Sequence, residues 1–355
     1  MPEDSIDHID FNDLNRNAIS QPLVKHIYTA DPSAHVFDGK IYIYPSHDID
    51  AGDAFDDLGS HFAMEDYHVL SMDNVDGEAT DHGPALHVKD VPWASQQMWA
   101  PDATEKSGTY YLYFPAKDHD GIFRIGVATS NLPTGPFVPE PNAIENSFSI
   151  DPAVFKDACP NGEAGREDGS YYMYFGGIWG GQLQRWRTGS FNAAEAQSPV
   201  AHLPADEEPA LCAKVAKLTN DLLAFSEEPK DVVIIDEHGN PLLQGDTDRR
   251  FFEASWMHKY NGKYYFSYST GDTHFICYAI ADNPYGPFTY QGRILEPVVG
   301  WTSHHSICEF NGKWYLFYHD SSLSEGVTHL RSVKVTELTY DADGKINTID
   351  PYKAR

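Results

Sequence analysis

Three acidic side chains interrupt apolar, strand-like stretches of the sequence and are the first candidates for chemistry. Asp31 lies in ADPSAHVF, Asp151 in IDPAVF and Glu253 in FFEASW. Two carboxyl groups facing one pocket are the minimum set for cleaving a glycosidic bond, because one donates a proton while the other stays ionised. The aromatic neighbours of Glu253 favour its protonated form through desolvation. A proline follows each aspartate and restricts the backbone, so each aspartate begins a strand in a fixed pose.

A repeated unit surrounds these carboxylates. Each lies upstream of a two-residue turn that ends in glycine, and a run of aromatic residues follows the turn. The unit occurs five times, with turns at Asp38-Gly39, Ser107-Gly108, Asp168-Gly169, Asn261-Gly262 and Asn311-Gly312. Asp102 and the pair His304-His305 hold the corresponding upstream place in the other two copies. Such turns between strand-like runs predict hairpins, because a type I′ turn needs positive φ at both central residues.

Five hairpins of one kind predict an all-β, five-bladed β-propeller in a single domain. The alternative is five unrelated hairpins with ordinary turn carboxylates. The predicted blades span about residues 28–86, 98–138, 149–186, 251–295 and 302–346. Residues 187–250 are predicted to form a partly helical insertion between the third and fourth blades, because apolar residues recur at helical spacing at Leu211, Val215, Leu218 and Leu222. In a propeller, the polar residue of each innermost strand converges on the central channel.

The charge balance limits the partners of the protein. The chain has 53 acidic and 25 basic residues, a net charge of −28. Nucleic acids and anionic membranes both need a cationic face, so neither is expected as a partner. No apolar run approaches the roughly 20 residues of a membrane span. The opening segment MPEDSIDHID is acidic and polar, unlike a secretory leader, and the four cysteines are scattered. We therefore expect a cytoplasmic protein.

The sequence resembles glycoside hydrolase family 43, whose members are five-bladed propellers with inverting chemistry. The resemblance covers nearly the whole chain and rests on TADPSAHVFDGKIYIYPSHD, MWAPDATEKSGTYYLYFPA, SIDPAVF, FFEASWMHKYNGKYYFSYS and SHHSICEFNGKWYLFYH. It implies that Asp31 is the general base that activates water and that Glu253 is the general acid. It also implies that Asp151 tunes and orients the acid. We expect Asp102, in the second motif, to hold backbone near the site.

The resemblance also implies contacts with a cation and with the sugar. His304 is expected to face a divalent cation, with calcium as the expected ion, or a water cluster in the channel, and His305 remains an alternative for the inward position. Arg331 in HLRSV is expected to contact the sugar at the reaction centre. Trp99 and Trp179 are expected to stack on sugar rings. The alternatives are a hydrogen-bonded core histidine, a surface arginine on a strand and a tryptophan that packs between blades.

The family includes β-xylosidases, α-L-arabinofuranosidases and arabinanases. The long first-blade loop resembles that of metal-activated, intracellular β-xylosidases, so the expected substrate is a small β-1,4-xylo-oligosaccharide cleaved from its end. Arabinose release from α-L-arabinofuranosides is expected as a possible second activity. An arabinanase or arabinofuranosidase remains the alternative activity, and a non-catalytic sugar-binding propeller the alternative class. A homo-oligomer is a possible assembly, since a neighbouring subunit would help to shape the pocket.

Overall fold

The computed structural model describes residues 8–158 and 169–353. Its regular structure is dominated by β-strands in five sheets that follow one another along the chain. The first sheet has the spatial order β1 (Tyr28–Phe37), β2 (Lys40–Asp48), β3 (Asp66–Met72) and β4 (Thr80–His87). The second contains β5 (Ala94–Gln96), β6 (Asp102–Lys106), β7 (Thr109–Asp118), β8 (Phe123–Ser130) and β9 (Val138–Pro139). Both β5 and β6 pair with β7, so the innermost strand of this blade is interrupted.

The remaining three sheets complete the ring. The third contains β10 (Ala153–Asp157), β11 (Ser170–Phe175), β12 (Ala213–Lys217) and β13 (Lys230–Val232). The fourth contains β14 (Ile234–Ile235), β15 (Glu253–Tyr260), β16 (Lys263–Ser269), β17 (Ile276–Ala281) and β18 (Phe288–Leu295). The fifth contains β19 (His305–Phe310), β20 (Lys313–Asp320) and β21 (Ser332–Leu338). One short α-helix, α1 (Phe11–Asn17), precedes them, and short 3₁₀ turns lie at Val88–Asp90, Trp179–Gly181, Leu183–Trp186 and Gly271–Thr273.

Each sheet packs against its neighbours through a separate apolar core. The five cores include Tyr67 with Phe114, Tyr113 with Met173, Tyr174 with Phe266, Tyr278 with Leu316, and Ile41 with Phe317. In that order they join blades one and two, two and three, three and four, four and five, and five and one. A core at every interface between sheets makes a closed ring, which confirms the five-bladed propeller in a single domain.

The predicted hairpin turns form where they were expected. Both central residues have positive φ in the turns Asp38-Gly39, Ser107-Gly108, Asn261-Gly262 and Asn311-Gly312. This is the backbone of a type I′ turn, which matches the twist of the flanking strands. In the remaining turn Gly169 has a φ of 69°, whereas Asp168 lies outside the described residues.

The prediction for residues 187–250 was wrong. The stripe from Leu211 to Leu222 does not form a helix: Ala213–Lys217 is β12, the third strand of the third blade. Lys230–Val232 is the fourth strand of the same blade, which therefore does not end at residue 186. Val215 packs in the core between the third and fourth blades, whereas Leu218 and Leu222 pack in the core between the second and third. Two separate cores thus account for apolar residues that mimic one helical face.

The ends of the described chain meet at the first and fifth blades. The backbone N–H of Leu23 donates to the carbonyl of Val333 at 2.9 Å, and that of Thr29 donates to the carbonyl of Arg331 at 2.9 Å. The segment before β1 therefore runs beside β21. Among the described residues, no helix has the length and apolar character needed to cross a membrane.

Candidate active site

The cavity at the propeller axis has a volume of about 450 Å³. Seven side chains singled out from the sequence line it: Asp31, Asp151, Glu253, His304, Arg331, Trp99 and Trp179. Glu253 and Asp31 belong to the innermost strands β15 and β1, and Asp151 directly precedes β10. The propeller thus brings together residues that lie up to 300 positions apart in the sequence, as the pairing of Asp31 with Arg331 shows.

Irregular backbone aims the carboxylates into the cavity. Asp31 and Asp151 have φ angles of 49° and 57°, and Ala254, next to Glu253, has a φ of 63°. The register of β1 shifts between Ala30 and Ser33, which brackets Asp31, and that of β15 shifts just after Glu253. A bulge of this kind redirects a side chain, and positive φ at a non-glycine residue is often found at functional sites.

Asp31 is held ionised by its neighbours. Its Oδ1 accepts a hydrogen bond from Nη1 of Arg331 at 2.9 Å, and its Oδ2 accepts one from the hydroxyl of Ser46 at 2.6 Å. Burial alone would raise the pKa of Asp31. The positive charge of Arg331, with smaller contributions from His304, His319 and Ser46, overcomes this and lowers the pKa to about 2.

His319 fixes the backbone of Asp31. The Nδ1 atom of this histidine accepts a hydrogen bond from the backbone N–H of Asp31 at 3.0 Å. Its Nε2 lies 3.1 Å from both the carbonyl and the hydroxyl of Thr302, so the proton resides on Nε2. Burial is the main cause that lowers the pKa of His319, to about 3, which keeps the ring neutral in this tautomer. The ring therefore acts as a fixed acceptor behind Asp31.

Asp48 anchors the arginine that pairs with Asp31. Its two carboxylate oxygens accept hydrogen bonds from Nε and Nη2 of Arg331, at 2.8 and 2.7 Å, and from the backbone N–H of the same residue at 2.9 Å. The guanidinium carbon also lies 4.8 Å from the ring centre of Phe62. Arg331 is 3% exposed, so it is not a surface residue. A bidentate carboxylate contact and an aromatic face fix the plane of the guanidinium group.

Glu253 has the opposite protonation state to Asp31. Burial, followed by the negative charge of Asp31, raises its pKa to about 8, against the opposing effect of Arg331. Burial likewise raises the pKa of Asp151 well above its usual range, with the charges of Glu253 and Asp31 acting in the same direction. Two acidic groups beside an ionised carboxylate cannot easily ionise as well. At neutral pH the site therefore holds one anionic aspartate and a protonated glutamic acid.

Asp151 is tied to the strand that carries Glu253. Its Oδ2 accepts a hydrogen bond from the backbone N–H of Ala254 at 2.9 Å, a residue that directly follows Glu253. Asp151 thus fixes the position of the glutamate backbone. The contact gives a physical basis for the orienting role that was expected of Asp151.

His304 faces the cavity, whereas His305 does not. The Nδ1 atom of His304 lies 3.5 Å from Oδ1 of Asp31 and 4.0 Å from Oδ2 of Asp151. His305 is completely buried, and its Nε2 lies 2.6 Å from the hydroxyl of Ser267. Burial lowers the pKa of His304 to about 4, against the attraction of Asp31, so the ring is neutral. Within the described chain, His304 makes no hydrogen bond, which leaves a nitrogen lone pair for a cation or water.

Asp102 performs the structural role expected of it. Its Oδ2 accepts a hydrogen bond from the backbone N–H of Val154 at 2.6 Å, and its Oδ1 lies 2.6 Å from Nε2 of His35. Asp102 is fully buried. It therefore links the innermost strands of the first three blades.

Aromatic rings line part of the cavity. Trp99 lies in the interruption between β5 and β6, and its Nε1 donates to the carbonyl of Phe62 at 2.8 Å. Trp179 packs against Phe252 and Trp301, with ring centres 5.4 and 5.7 Å away. Apolar ring faces beside polar groups are typical of sites for small organic ligands.

Two loops meet on one side of the cavity. A Cβ atom built on Gly180 would lie 2.6 Å from the carbonyl oxygen of Leu58, so the third-blade loop touches the first-blade loop. A Cβ on Gly59 would lie 2.8 Å from the ring of Trp99. The first and third blades are not neighbours in the ring, so this contact passes over the second blade and walls the cavity on that side.

Several residues of the site were not found from the sequence. Asp48 and His319 support Arg331 and Asp31 from behind the cavity wall. Both lie at the end of the aromatic strand that follows a hairpin turn, in IYIYPSHD and in WYLFYHD, and that position was the available signal. Trp301, His274 and His61 line the cavity, but they lie in loops outside the repeated unit. No periodic pattern pointed to them.

A five-bladed propeller whose channel holds an ionised and a protonated carboxyl group has the architecture and the acid–base pair of a glycoside hydrolase. The chain belongs to a particular group of these enzymes, the glycosyl hydrolases family 43, whose family model matches residues 19–346. The resemblance seen in the sequence motifs is thereby confirmed.

Related proteins match the chain over most of its length. A xylosidase/arabinosidase of Bacteroides ovatus is 61% identical over 92% of this chain and 97% of its own. One similar crystal structure is that of CoXyl43, a GH43 beta-xylosidase/alpha-arabinofuranosidase from a compost microbial metagenome, in complex with xylotriose in a calcium-free form. Its sequence is 65% identical to that of this chain. It covers 94% of this chain and 98% of its own, with a TM-score of 0.89. A GH43 enzyme of Xanthomonas citri complexed with xylotriose is 56% identical, covers 96% of each chain and has a TM-score of 0.87.

Proposed function

We propose that this protein is an exo-acting, inverting β-xylosidase that releases xylose from β-1,4-xylo-oligosaccharides and also cleaves α-L-arabinofuranosides. The observation that carries the proposal is the division of protonation states within one cavity, with Asp31 ionised and Glu253 protonated at neutral pH. The names of the relatives, a xylosidase/arabinosidase and two enzymes solved with xylotriose, support the substrate class.

Glu253 is assigned as the general acid. Its raised pKa keeps the proton available for the oxygen of the departing sugar at neutral pH. Asp151 holds the backbone beside Glu253 through the hydrogen bond that it accepts from the N–H of Ala254. The raised pKa of Glu253 also requires the ionised Asp31 nearby, so the three carboxyl groups act as one set.

Asp31 is assigned as the general base. Its hydrogen bonds to Arg331 and Ser46 fix both oxygens and keep the group anionic, and each oxygen retains a lone pair for a water molecule. Asp31 and Glu253 come from the first and fourth blades, which are not adjacent in a ring of five. A wide separation of two carboxyl groups leaves room for water between base and sugar, which is the inverting arrangement.

The closed side of the cavity supports attack at a chain end. Because the loops around Leu58 and Gly180 touch, a polysaccharide cannot pass freely over the second blade. This favours a pocket over the open groove of an arabinanase. A sugar-binding propeller without activity would not need two carboxyl groups in opposite protonation states.

We further infer that His304 binds a divalent cation that keeps most of its water. Calcium is the ion named for the relative, which was solved in a calcium-free form. Calcium prefers six to eight oxygen ligands, so a single imidazole nitrogen requires water molecules to supply the rest. A bound cation would add positive charge and ordered water beside Asp31. Stripping with EDTA should lower turnover and calcium should restore it, whereas full activity of metal-free protein would contradict this inference.

The proposed activity is tested with xylotriose, aryl β-xyloside and aryl α-arabinofuranoside. Xylose should appear from xylotriose, and NMR should show α-xylose as the first-formed anomer. Initial formation of β-xylose would overturn the assignment of Asp31 as the base. The D31A variant serves as the inactive control. Cleavage of arabinan with no release of xylose from either xyloside would replace the proposal with the arabinanase alternative.

A further inference from the structure

A cluster of three metal-binding side chains lies in the first blade. The first-blade cluster consists of His47 on β2 together with Asp66 and His68 on β3. One ligand atom from each residue lies within 4.8 Å of the other two. Their side chains are 17%, 14% and 10% exposed, so the cluster is largely enclosed but reachable from solvent.

The cluster is separate from the active site although the two are close in sequence. Ser46 and Asp48, which flank His47, direct their side chains to Asp31 and Arg331 in the cavity. Successive side chains of a strand point to opposite faces, so His47 projects away from those contacts. His47, Asp66 and His68 are not among the residues that line the cavity.

Two of the three distances between ligand atoms in the cluster differ by less than an ångström from those around a small divalent ion. Nδ1 of His47 lies 2.6 Å from Oδ1 of Asp66, and Nε2 of His68 lies 3.8 Å from Oδ2 of the same carboxylate. Around a tetrahedral zinc ion with bonds of about 2.0–2.2 Å, neighbouring ligand atoms are roughly 3.3–3.6 Å apart. The two observed separations lie on either side of that range. The longer one is not a hydrogen bond, so no direct contact between His68 and Asp66 would be lost.

A second carboxylate, that of Asp81, fixes His68 in the tautomer that can bind a metal ion. Oδ1 of Asp81, on β4, lies 2.9 Å from Nδ1 of His68, while its Oδ2 lies 2.8 Å from Nε2 of His26. A carboxylate cannot donate when ionised, so Nδ1 of His68 carries the proton and Nε2 presents its lone pair toward Asp66. Carboxylates commonly fix metal-binding histidines in this way.

We propose that the first-blade cluster binds a zinc-type divalent ion through Nδ1 of His47, Nε2 of His68 and the carboxylate of Asp66. Water completes the coordination from the solvent side. Two imidazoles and one carboxylate favour zinc and its transition-metal neighbours, whereas calcium and magnesium prefer oxygen ligands. The ion takes the place of the proton that His47 and Asp66 share in the absence of metal. This site is independent of the cation inferred at His304.

Binding would tie together strands that support the base. The ion joins β2 to β3 directly, and Asp81 extends the connection to β4 and to His26 ahead of β1. Because β2 carries Ser46 and Asp48, the ion stabilises the strand that positions Asp31 and Arg331. A ligand that binds the folded state alone raises the melting temperature.

The test uses the full-length protein, stripped with EDTA and then dialysed into calcium to saturate any oxygen-ligand site. Calorimetric titration with zinc should give one equivalent bound, and cobalt(II) should give the intense visible bands of a four-coordinate complex. H68A and H47A should each weaken zinc binding by at least a hundredfold and abolish those bands. D81N, which alters only the supporting carboxylate, should weaken binding about tenfold to a hundredfold.

Matched controls locate the ion. His82 also lies on β4 but contacts Ser71 instead of the cluster, so H82Q should bind zinc as the wild type does. H304A should also retain the zinc site. Loss of the cobalt bands in H304A would place the ion in the active-site cavity and overturn the proposal, as would wild-type binding in both H68A and H47A. Absence of zinc binding in wild-type protein would show that only a proton occupies the cluster. None of these outcomes depends on which sugar the enzyme cleaves.

Discussion

Asp31 and Glu253 are carboxyl groups in one cavity, and their neighbours give them opposite roles. Asp31 accepts hydrogen bonds from a guanidinium group and a hydroxyl, which stabilise its anion. Glu253 has no cation paired directly with it among the described residues, and burial beside an anion stabilises its neutral form. The sequence context FFEASW already predicted the desolvation of Glu253. It did not reveal the partners of Asp31, because Ser46, His319 and Arg331 approach from other strands and blades.

Replacing Glu253 with glutamine should slow cleavage most for substrates whose leaving group needs a proton. Glutamine keeps the shape of the side chain but cannot donate the proton, so E253Q should cleave xylotriose about 10²–10⁴ times more slowly. An aryl xyloside with a highly acidic phenol needs little protonation and should lose much less. Steady-state kinetics on both substrates measures the difference. D31A is the comparison, since it should lose activity on both, and equal losses in E253Q would exclude Glu253 as the acid.

The pH dependence of the reaction should reflect the assignment of Glu253 as the acid and Asp31 as the base. Glu253 is active when protonated, and its pKa is raised to about 8, so kcat/KM for xylotriose should fall as the pH rises through about 8. Asp31 is active when ionised, and its pKa of about 2 places the acidic limb far lower. Initial rates measured across the pH range give both limbs of the profile. The wild type is measured with xylotriose, and E253Q with an activated aryl xyloside. An alkaline limb that persists in E253Q would have to come from another group.

At the scale of elements, the hairpins were predictable and the long connections were not. Turn residues such as Asn261-Gly262 impose a local geometry that needs no tertiary information. The 37 residues between Phe175 and Ala213 carry no such signal, and β12 joins its blade only after that excursion. Val215 and Leu218 have the spacing of one helical face, yet they pack in different cores. Tertiary packing therefore decided the structure where local pattern was ambiguous.

The contact between the first-blade and third-blade loops should control the shape of the pocket. In G180A the new methyl group would lie 2.6 Å from the carbonyl oxygen of Leu58, so the loops must separate. We expect kcat/KM for xylotriose to fall roughly tenfold to a hundredfold, since sub-ångström placement of substrate governs the rate. The melting temperature should change little, because these loops lie outside the blade cores.

A glycine in a remote turn provides the control for this prediction. G77A adds the same methyl group, which meets only Asn74 of its own turn. It should leave kcat/KM at the wild-type value. Unchanged kinetics in G180A would show that the contact does not shape the site, and a large drop in its melting temperature would assign the effect to folding instead.

At the scale of the whole molecule, closure of the ring assembles the base. Asp31 lies in the first blade, but His319 and Arg331, which hold its backbone and its carboxylate, lie on the fifth-blade side of the junction. Thr29 and Leu23 join the same region through backbone hydrogen bonds to Arg331 and Val333. The acid half of the site, in contrast, depends on the contact between Asp151 and Ala254 in the third and fourth blades. The two halves therefore depend on different interfaces between blades.

Because the two halves depend on different interfaces, a change at the junction of the first and fifth blades should impair the function of Asp31 more than that of Glu253. L23P removes the N–H that donates to Val333, whereas L23A keeps it and loses only side-chain packing. L23P should be less stable than L23A by about 1–3 kcal/mol, the cost of leaving a backbone acceptor without its partner. Urea unfolding measures that difference. At temperatures where both variants are folded, L23P should also turn over activated aryl xylosides more slowly, because these substrates depend on Asp31 and need little help from Glu253. Equal stability and equal rates in the two variants would show that the backbone bond to the fifth blade does not hold the base in place.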